Sequence, residues 1–167
     1  SDLLYKNDGQ ITKSEIRAIT ISKLEPLNRS VIWDIGGGSG SISIEWSKIT
    51  NDAKIYTIEQ NKRRIGYIRE NIKRFGIQNI TLLHESAPDI LEMLEKPDRI
   101  FIGGGLSSDK GDKIINKSLE CLTKTGIIVA NGVTAETENL LIGMYKVYGG
   151  ELSKYSVSNL KKIGKLH

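Results

Sequence analysis

A single cysteine, Cys121, excludes an intramolecular disulfide and points to a reducing, cytoplasmic setting. No apolar run approaches the ~20 residues that a membrane-spanning helix needs, and no stretch reads as a signal peptide. The chain opens at Ser1 rather than at a methionine, which leaves room for residues ahead of it. Histidine is scarce as well. His84 and His167 stand far from Cys121 in sequence, so no Cys/His cluster is available for zinc and no metal is expected. The phosphate-loop pattern G-x-x-x-x-G-K-[ST] is absent. Aromatic residues make up only 6% of the chain, few for the stacking platforms that an extended RNA path requires.

What is present describes a folded α/β domain. Hydrophobic residues at 38% and charged residues at 26%, over 167 positions, suit one domain with a sizeable core rather than a disordered chain. The formal charge of +4 favours anionic partners without choosing among nucleic acid, phosphates and polycarboxylates. From residue 31 onward, apolar runs alternate with amphipathic stretches. Strands are expected over 31–35, 54–58, 79–83, 99–102 and 127–131, with a sixth over 151–157. Helices are expected over 41–49, 61–75, 87–94, 112–122 and 134–148; the third is opened by Pro88. In the second, Ile65, Ile68, Ile72 and Phe75 share one face, and Gly76 marks its end. Such alternation implies a mostly parallel, twisted sheet with helices on both faces, with ligands at the strands' C-terminal edge. The organisation expected is one domain over 1–167 with a short helical extension at about 1–28. There, Thr12-Lys13-Ser14-Glu15 matches a capping box that would turn Ile16, Ile19 and Leu24 inward.

The chemistry concentrates in Val31-Ile32-Trp33-Asp34-Ile35-Gly36-Gly37-Gly38-Ser39-Gly40, where a buried strand passes through one acid into four glycines. Glycine permits positive φ and lets a ligand approach bare backbone, and the helix expected from Ser41 offers free N–H groups. The spacing is D-x-G-x-G-x-G, not the dinucleotide pattern G-x-G-x-x-G, whose third glycine position holds Ser41. Asp34 beside a pyrophosphate would add repulsion. Beside the sulfonium and amino group of S-adenosylmethionine it would not. Glu59, nineteen residues after Gly40, ends the second strand and would accept both ribose hydroxyls of either cofactor. The fourth strand leads into a second glycine loop, Gly103-Gly104-Gly105-Leu106-Ser107-Ser108, with room for a bulky substrate and N–H groups for carboxylates. No Asn-Pro-Pro-Tyr type segment follows that strand, which argues against the common amino-group methylators of DNA and protein.

These residues, with Gly9-Gln10-Ile11-Thr12-Lys13-Ser14-Glu15-Ile16-Arg17-Ala18, Tyr56-Thr57-Ile58-Glu59, Ala87-Pro88, Phe101-Ile102-Gly103-Gly104 and Asn131-Gly132-Val133-Thr134-Ala135-Glu136, give the chain a likeness to a known family. It resembles the decarboxylating precorrin or cobalt-precorrin carbon-15 methyltransferases of cobalamin biosynthesis, from about residue 9 to about 157. The resemblance implies a Rossmann-like class I methyltransferase fold, with the final antiparallel strand outside this chain. It further implies an S-adenosylmethionine site lined by Thr12, Asp34, Gly36, Gly37, Gly38, Ser39, Gly40, Glu59 and Ala87, with S-adenosylhomocysteine as product. Lys13, Arg17, Gly103, Gly104 and Gly105 are candidates for the anionic tetrapyrrole, and Asn131 and Glu136 for the chemistry. Ser86 stands where many such enzymes carry an acid for the adenine amino group, and Leu106-Ser107-Ser108 replaces further glycine. Nucleic acid and membrane are not expected partners. A homo-oligomer is, with a tetramer as one option, and a companion methyltransferase subunit of the same pathway is a candidate partner. The alternatives are an RNA methyltransferase and a non-catalytic nucleoside-binding subunit.

Overall fold

The computed structural model describes residues 1–107 and 109–158; Ser108 and His167 lie outside the described residues. Among the described residues, five strands form one sheet in the order β3-β2-β1-β4-β5, all neighbours parallel. They are β1 (Val31–Ile35), β2 (Lys54–Ile58), β3 (Ile80–Leu83), β4 (Arg99–Ile102) and β5 (Ile127–Ala130). The helices are α1 (Ser14–Leu24), α2 (Ser41–Ile49), α3 (Lys62–Phe75), α4 (Gly111–Cys121) and α5 (Ala135–Tyr148). β1 is buried throughout because both faces of a parallel sheet are covered. Its side chains alternate between two cores. Val31, Trp33 and Ile35 join Ile58, Ile100, Ile102 and Leu91 on the face covered by α4 and α5. Ile32 joins Ile55, Phe101, Ile42, Trp46, Ile21 and Leu24 on the face covered by α1 and α2. The strand order reverses between β1 and β4, where the two glycine loops leave the sheet side by side.

Several boundaries follow the sequence closely, and three expectations do not hold. Over 87–94 there is no α-helix: a turn follows the cis Ala87–Pro88 bond, and only Leu91–Met93 winds as a 3-10 turn. The segment spans just the space between β3 and β4, and Leu91 fixes it by burying completely. No strand forms over 151–157, where every residue is exposed. The capping box at Thr12 is also not made. α1 starts one residue later than that box requires, with Lys13 at its N-cap in extended conformation and without a side-chain cap bond. The Thr12 carbonyl is held instead by the Arg17 guanidinium at 2.6 Å. The buried face of α1 is therefore Arg17, Thr20, Ile21 and Leu24. Ile16 and Ile19 are only half-buried. Among the described residues no helix is long and apolar enough to cross a membrane.

Candidate active site

The loop from Gly36 to Gly40 is built by backbone. The N–H groups of Gly36 and Gly37 donate to the Ile58 carbonyl at 2.9 and 3.1 Å, folding the loop back over the end of β2. Gly36, Gly38 and Gly40 have φ of 74°, 60° and 73°, a region that favours glycine. At Gly36 the need is double, because a Cβ there would lie 2.5 Å from the Gly104 Cα. The two glycine loops thus meet through bare main chain. Gly103 N–H donates to the Ile35 carbonyl at 2.9 Å, so it is taken and not offered to a substrate carboxylate. Gly103 is exposed, and Gly104 and Gly105 are half-buried.

Glu59 leaves the end of β2 directly under this loop. One carboxylate oxygen accepts from Gly38 N–H at 2.9 Å and the other from Asn61 N–H at 2.8 Å, with 5% of the residue exposed. Each oxygen retains a second lone pair. Ser86 and Ala87, at the end of β3, flank the same corner. The Ser86 hydroxyl donates to the Gln60 side chain at 3.4 Å and to the Ala87 carbonyl at 3.2 Å.

Asp34 has a different place from the one its position in the motif suggests. Strand alternation puts its side chain on the α2 face, not in the cleft, and only 1% of the residue is exposed. α2 has a glycine N-cap and no capping side chain of its own. The Asp34 carboxylate supplies the missing acceptor, taking Ser43 N–H at 3.2 Å and the Ser43 hydroxyl on the same oxygen. Ser43 in turn meets the Thr57 hydroxyl at 2.6 Å. The other Asp34 oxygen is buried without a hydrogen-bond partner among the described residues. Burial pushes the carboxyl up to about 6, the Ser43 bonds oppose that, and the Glu59 charge adds to it. Ser39 is likewise buried, and its carbonyl, not its hydroxyl, is used: it accepts from Asn71 at 2.9 Å.

Of the basic candidates, Lys13 is exposed at the start of α1. Arg17 is not available. It is 4% exposed and paired with Asp2 at 2.6 Å, because its helix turn faces the core. Asn131 follows β5; its side-chain amide donates to the buried Thr20 hydroxyl of α1 at 2.9 Å. Glu136 sits exposed in the first turn of α5, where its own N–H and the Thr134 hydroxyl hold its carboxyl below the ordinary range. That is a helix-end role, and no hydrogen bond joins it to Asn131 among the described residues.

Two residues that motif reading passed over also shape the site. Asn71 is fully buried on α3 and binds the loop through Ser39. Arg64 of the same helix reaches Asp8 and Gln10 ahead of α1. Asn71 left a signal in the sequence: it lies three residues after Ile68, a polar residue on an apolar helix face.

The fold, with its glycine loop at the β1/β4 reversal and an acid closing β2, defines a class I methyltransferase domain. Among solved structures, the C-terminal domain of precorrin-6Y C5,15-methyltransferase from Rhodobacter capsulatus superposes with a TM-score of 0.88 at 36% identity, over 99% of this chain and 87% of that one. The model of the precorrin methyltransferase domain matches residues 3–167, and the chain belongs to that family. A precorrin-6Y C(5,15)-methyltransferase [decarboxylating] of Sinorhizobium sp is 40% identical over 163 residues, 98% of this chain but 39% of the relative. The chain thus spans well under half of that protein. A probable cobalt-precorrin-6B C(15)-methyltransferase (decarboxylating) of Saccharolobus solfataricus is 41% identical over 152 residues, 87% of this chain and 75% of the relative.

Proposed function

We propose that the chain transfers a methyl group from S-adenosylmethionine to carbon 15 of a precorrin or cobalt-precorrin, with loss of carbon dioxide from an acetate side chain. The observation that carries this reading is the junction of the two glycine loops above Glu59, in a chain of the precorrin methyltransferase family. Bound S-adenosylmethionine supplies a methyl group on a sulfonium that leaves as a neutral thioether. The residues present suit it. The loop from Gly36 to Gly40 is cradle-shaped main chain containing no Lys or Arg to pair a phosphate, and the nearest ionisable group is a carboxylate. Glu59 would take the ribose hydroxyls on its free lone pairs, Thr12 and the Gly36–Gly40 backbone would flank the methionine end, and Ala87 the adenine.

The protein's work is alignment and exclusion of water, since the leaving group is already activated and an electron-rich macrocycle carbon needs no strong base. The open side of the second loop, at Gly103 to Gly105, takes the macrocycle. Lys13 meets a substrate carboxylate, and Asn131 lines the edge. Arg17 and Asp34 serve as supports for α1 and α2. In the decarboxylation the bond between the carboxyl and the side-chain methylene breaks, carbon dioxide departs, and the methylene carbon keeps the electron pair and takes a proton. The same reading gives an anionic tetrapyrrole as substrate, an assembly of several copies with a companion methyltransferase, and a reducing cytoplasmic setting that suits the free thiol of Cys121. The test is incubation with methyl-labelled S-adenosylmethionine and a precorrin-6-type macrocycle, followed by mass spectrometry. Gain of a methyl with loss of carbon dioxide is expected. Cofactor bound with no change in macrocycle mass would leave only a nucleoside-binding subunit.

A further inference from the structure

The segment ahead of α1 is fastened along α3: Arg74 holds the Leu4 carbonyl at 2.7 Å and Glu70 pairs with Lys6 at 2.8 Å, both exposed, and two further contacts, different in kind, lie nearer the glycine loop. At its inner end the contact is made by the fully buried Asn71. Asn71 accepts Lys6 N–H at 2.8 Å and donates to the Lys6 carbonyl at 2.9 Å, while the same amide nitrogen holds Ser39 of the glycine loop. Tyr5 beside it is 4% exposed, tilted against Phe75 with ring centroids 4.9 Å apart, and donates to Glu45. At its outer end the contact is partly wet. Arg64 donates through Nε to Asp8 at 3.0 Å and through Nη2 to the Gln10 side chain, with side-chain exposures of 26% for Arg64 and 22% for Asp8. Gly9, between Asp8 and Gln10, turns at φ 92° with its N–H on the Asn7 side chain at 2.8 Å, and a Cβ there would meet nothing within 4 Å. The Gln10 carbonyl lies over the glycine loop, 3.9 Å from where a Gly38 Cβ would stand.

We propose that residues 6–12 form a strap over the cofactor loop, with Asn71 as its fixed anchor and Arg64 as the latch that sets how fast cofactor and product leave. Both are positioning residues: neither would touch the reacting atoms. The proposal rests on the reading that S-adenosylmethionine occupies the Gly36–Gly40 loop. A buried anchor shared with the loop makes strap and loop one unit at that end. A partly exposed ion pair gives the stretch between Lys6 and Thr12, whose carbonyl Arg17 holds, a low cost of opening. Opening then bares the loop without unfolding the domain.

The experiment uses the whole chain with Arg64→Ala and Arg64→Lys. It reads amide hydrogen exchange of residues 5–12, association and dissociation rates of S-adenosylhomocysteine, and the melting temperature without ligand. Arg64→Ala is expected to speed exchange at residues 8–12 and the dissociation rate together, each roughly three- to tenfold. Lys6 N–H stays protected, the melting temperature stays near that of the unaltered chain, and Arg64→Lys falls in between. Unchanged exchange at 8–12 overturns the latch. Faster exchange with an unchanged dissociation rate overturns its control of cofactor release. Failure of the unaltered chain to bind S-adenosylhomocysteine overturns the functional reading, and the proposal with it, whereas the exchange data still report the strap itself.

Discussion

Replacing Asp34 by asparagine tests the capping role most directly. The folded chain holds this carboxyl at about 6, against about 3.8 for the ordinary aspartate. Between those values the folded state keeps a proton that the unfolded state has released, so stability falls as pH rises through that window. The full difference is about two pK units, or about 3 kcal/mol. Between about pH 4.5 and about pH 7.5 the linkage relation places about 2 kcal/mol of it. Asparagine keeps an oxygen for Ser43 N–H and hydroxyl but carries no titrating group. Urea denaturation of both chains at the two pH values, without ligand, gives the comparison. Asp34→Asn is expected to gain about 2 kcal/mol relative to the unaltered chain on going from the lower to the higher pH. Asp34→Ala loses the cap and should be less stable than Asp34→Asn at both values by about 1–2 kcal/mol. An identical pH slope for Asp34→Asn and the unaltered chain would refute the buried, proton-holding carboxyl.

Other outcomes follow from the same geometry. Glu59→Ala removes the acceptor for Gly38 and Asn61 and, on the proposed function, for the ribose, so calorimetry with S-adenosylhomocysteine should show affinity weaker by ~2 kcal/mol, about thirtyfold; unchanged affinity would take Glu59 out of the site. Gly36→Ala forces a Cβ to 2.5 Å from Gly104 at a φ of 74°, and should lower stability by at least ~2 kcal/mol in a melting experiment. Gly66→Ala, with open space around it inside α3, should raise stability by about 0.5–1 kcal/mol. Lys13→Ala should raise KM for the macrocycle and leave S-adenosylhomocysteine affinity alone, which steady-state kinetics and calorimetry would separate.

The architecture was legible because it rests on patterns longer than any one residue. The apolar run of β1, interrupted by Asp34, and the three- and four-residue spacing in α3 each meet one structural solution. The stretch 87–94 misled because proline at a helix start and apolar residues after it fit a helix as well as a turn packed by Leu91, and only the neighbouring strands decide. The capping box failed for a similar reason: Arg17, expected to meet the anionic substrate, turns inward and holds Thr12 by its carbonyl. In the site, the glycines and Glu59 were readable from spacing, since main-chain contact and a strand-end carboxylate depend on local order alone. Asp34 was read as facing a ligand because the motif gives its position and not its side of the sheet. The Asn71 and Arg64 contacts bridge 65 and 56 residues to Lys6 and Asp8, and no local pattern announces such pairings.

The touching of Gly36 and Gly104 has a consequence for how such a site can change. The floor shared by the two loops has no side chains to trim or enlarge, so it tolerates no remodelling and behaves as a fixed bulkhead. On the proposed function, differences in what is accepted would be written on the rim, by residues such as Lys13 and Asn131, around a wall that main chain alone forms.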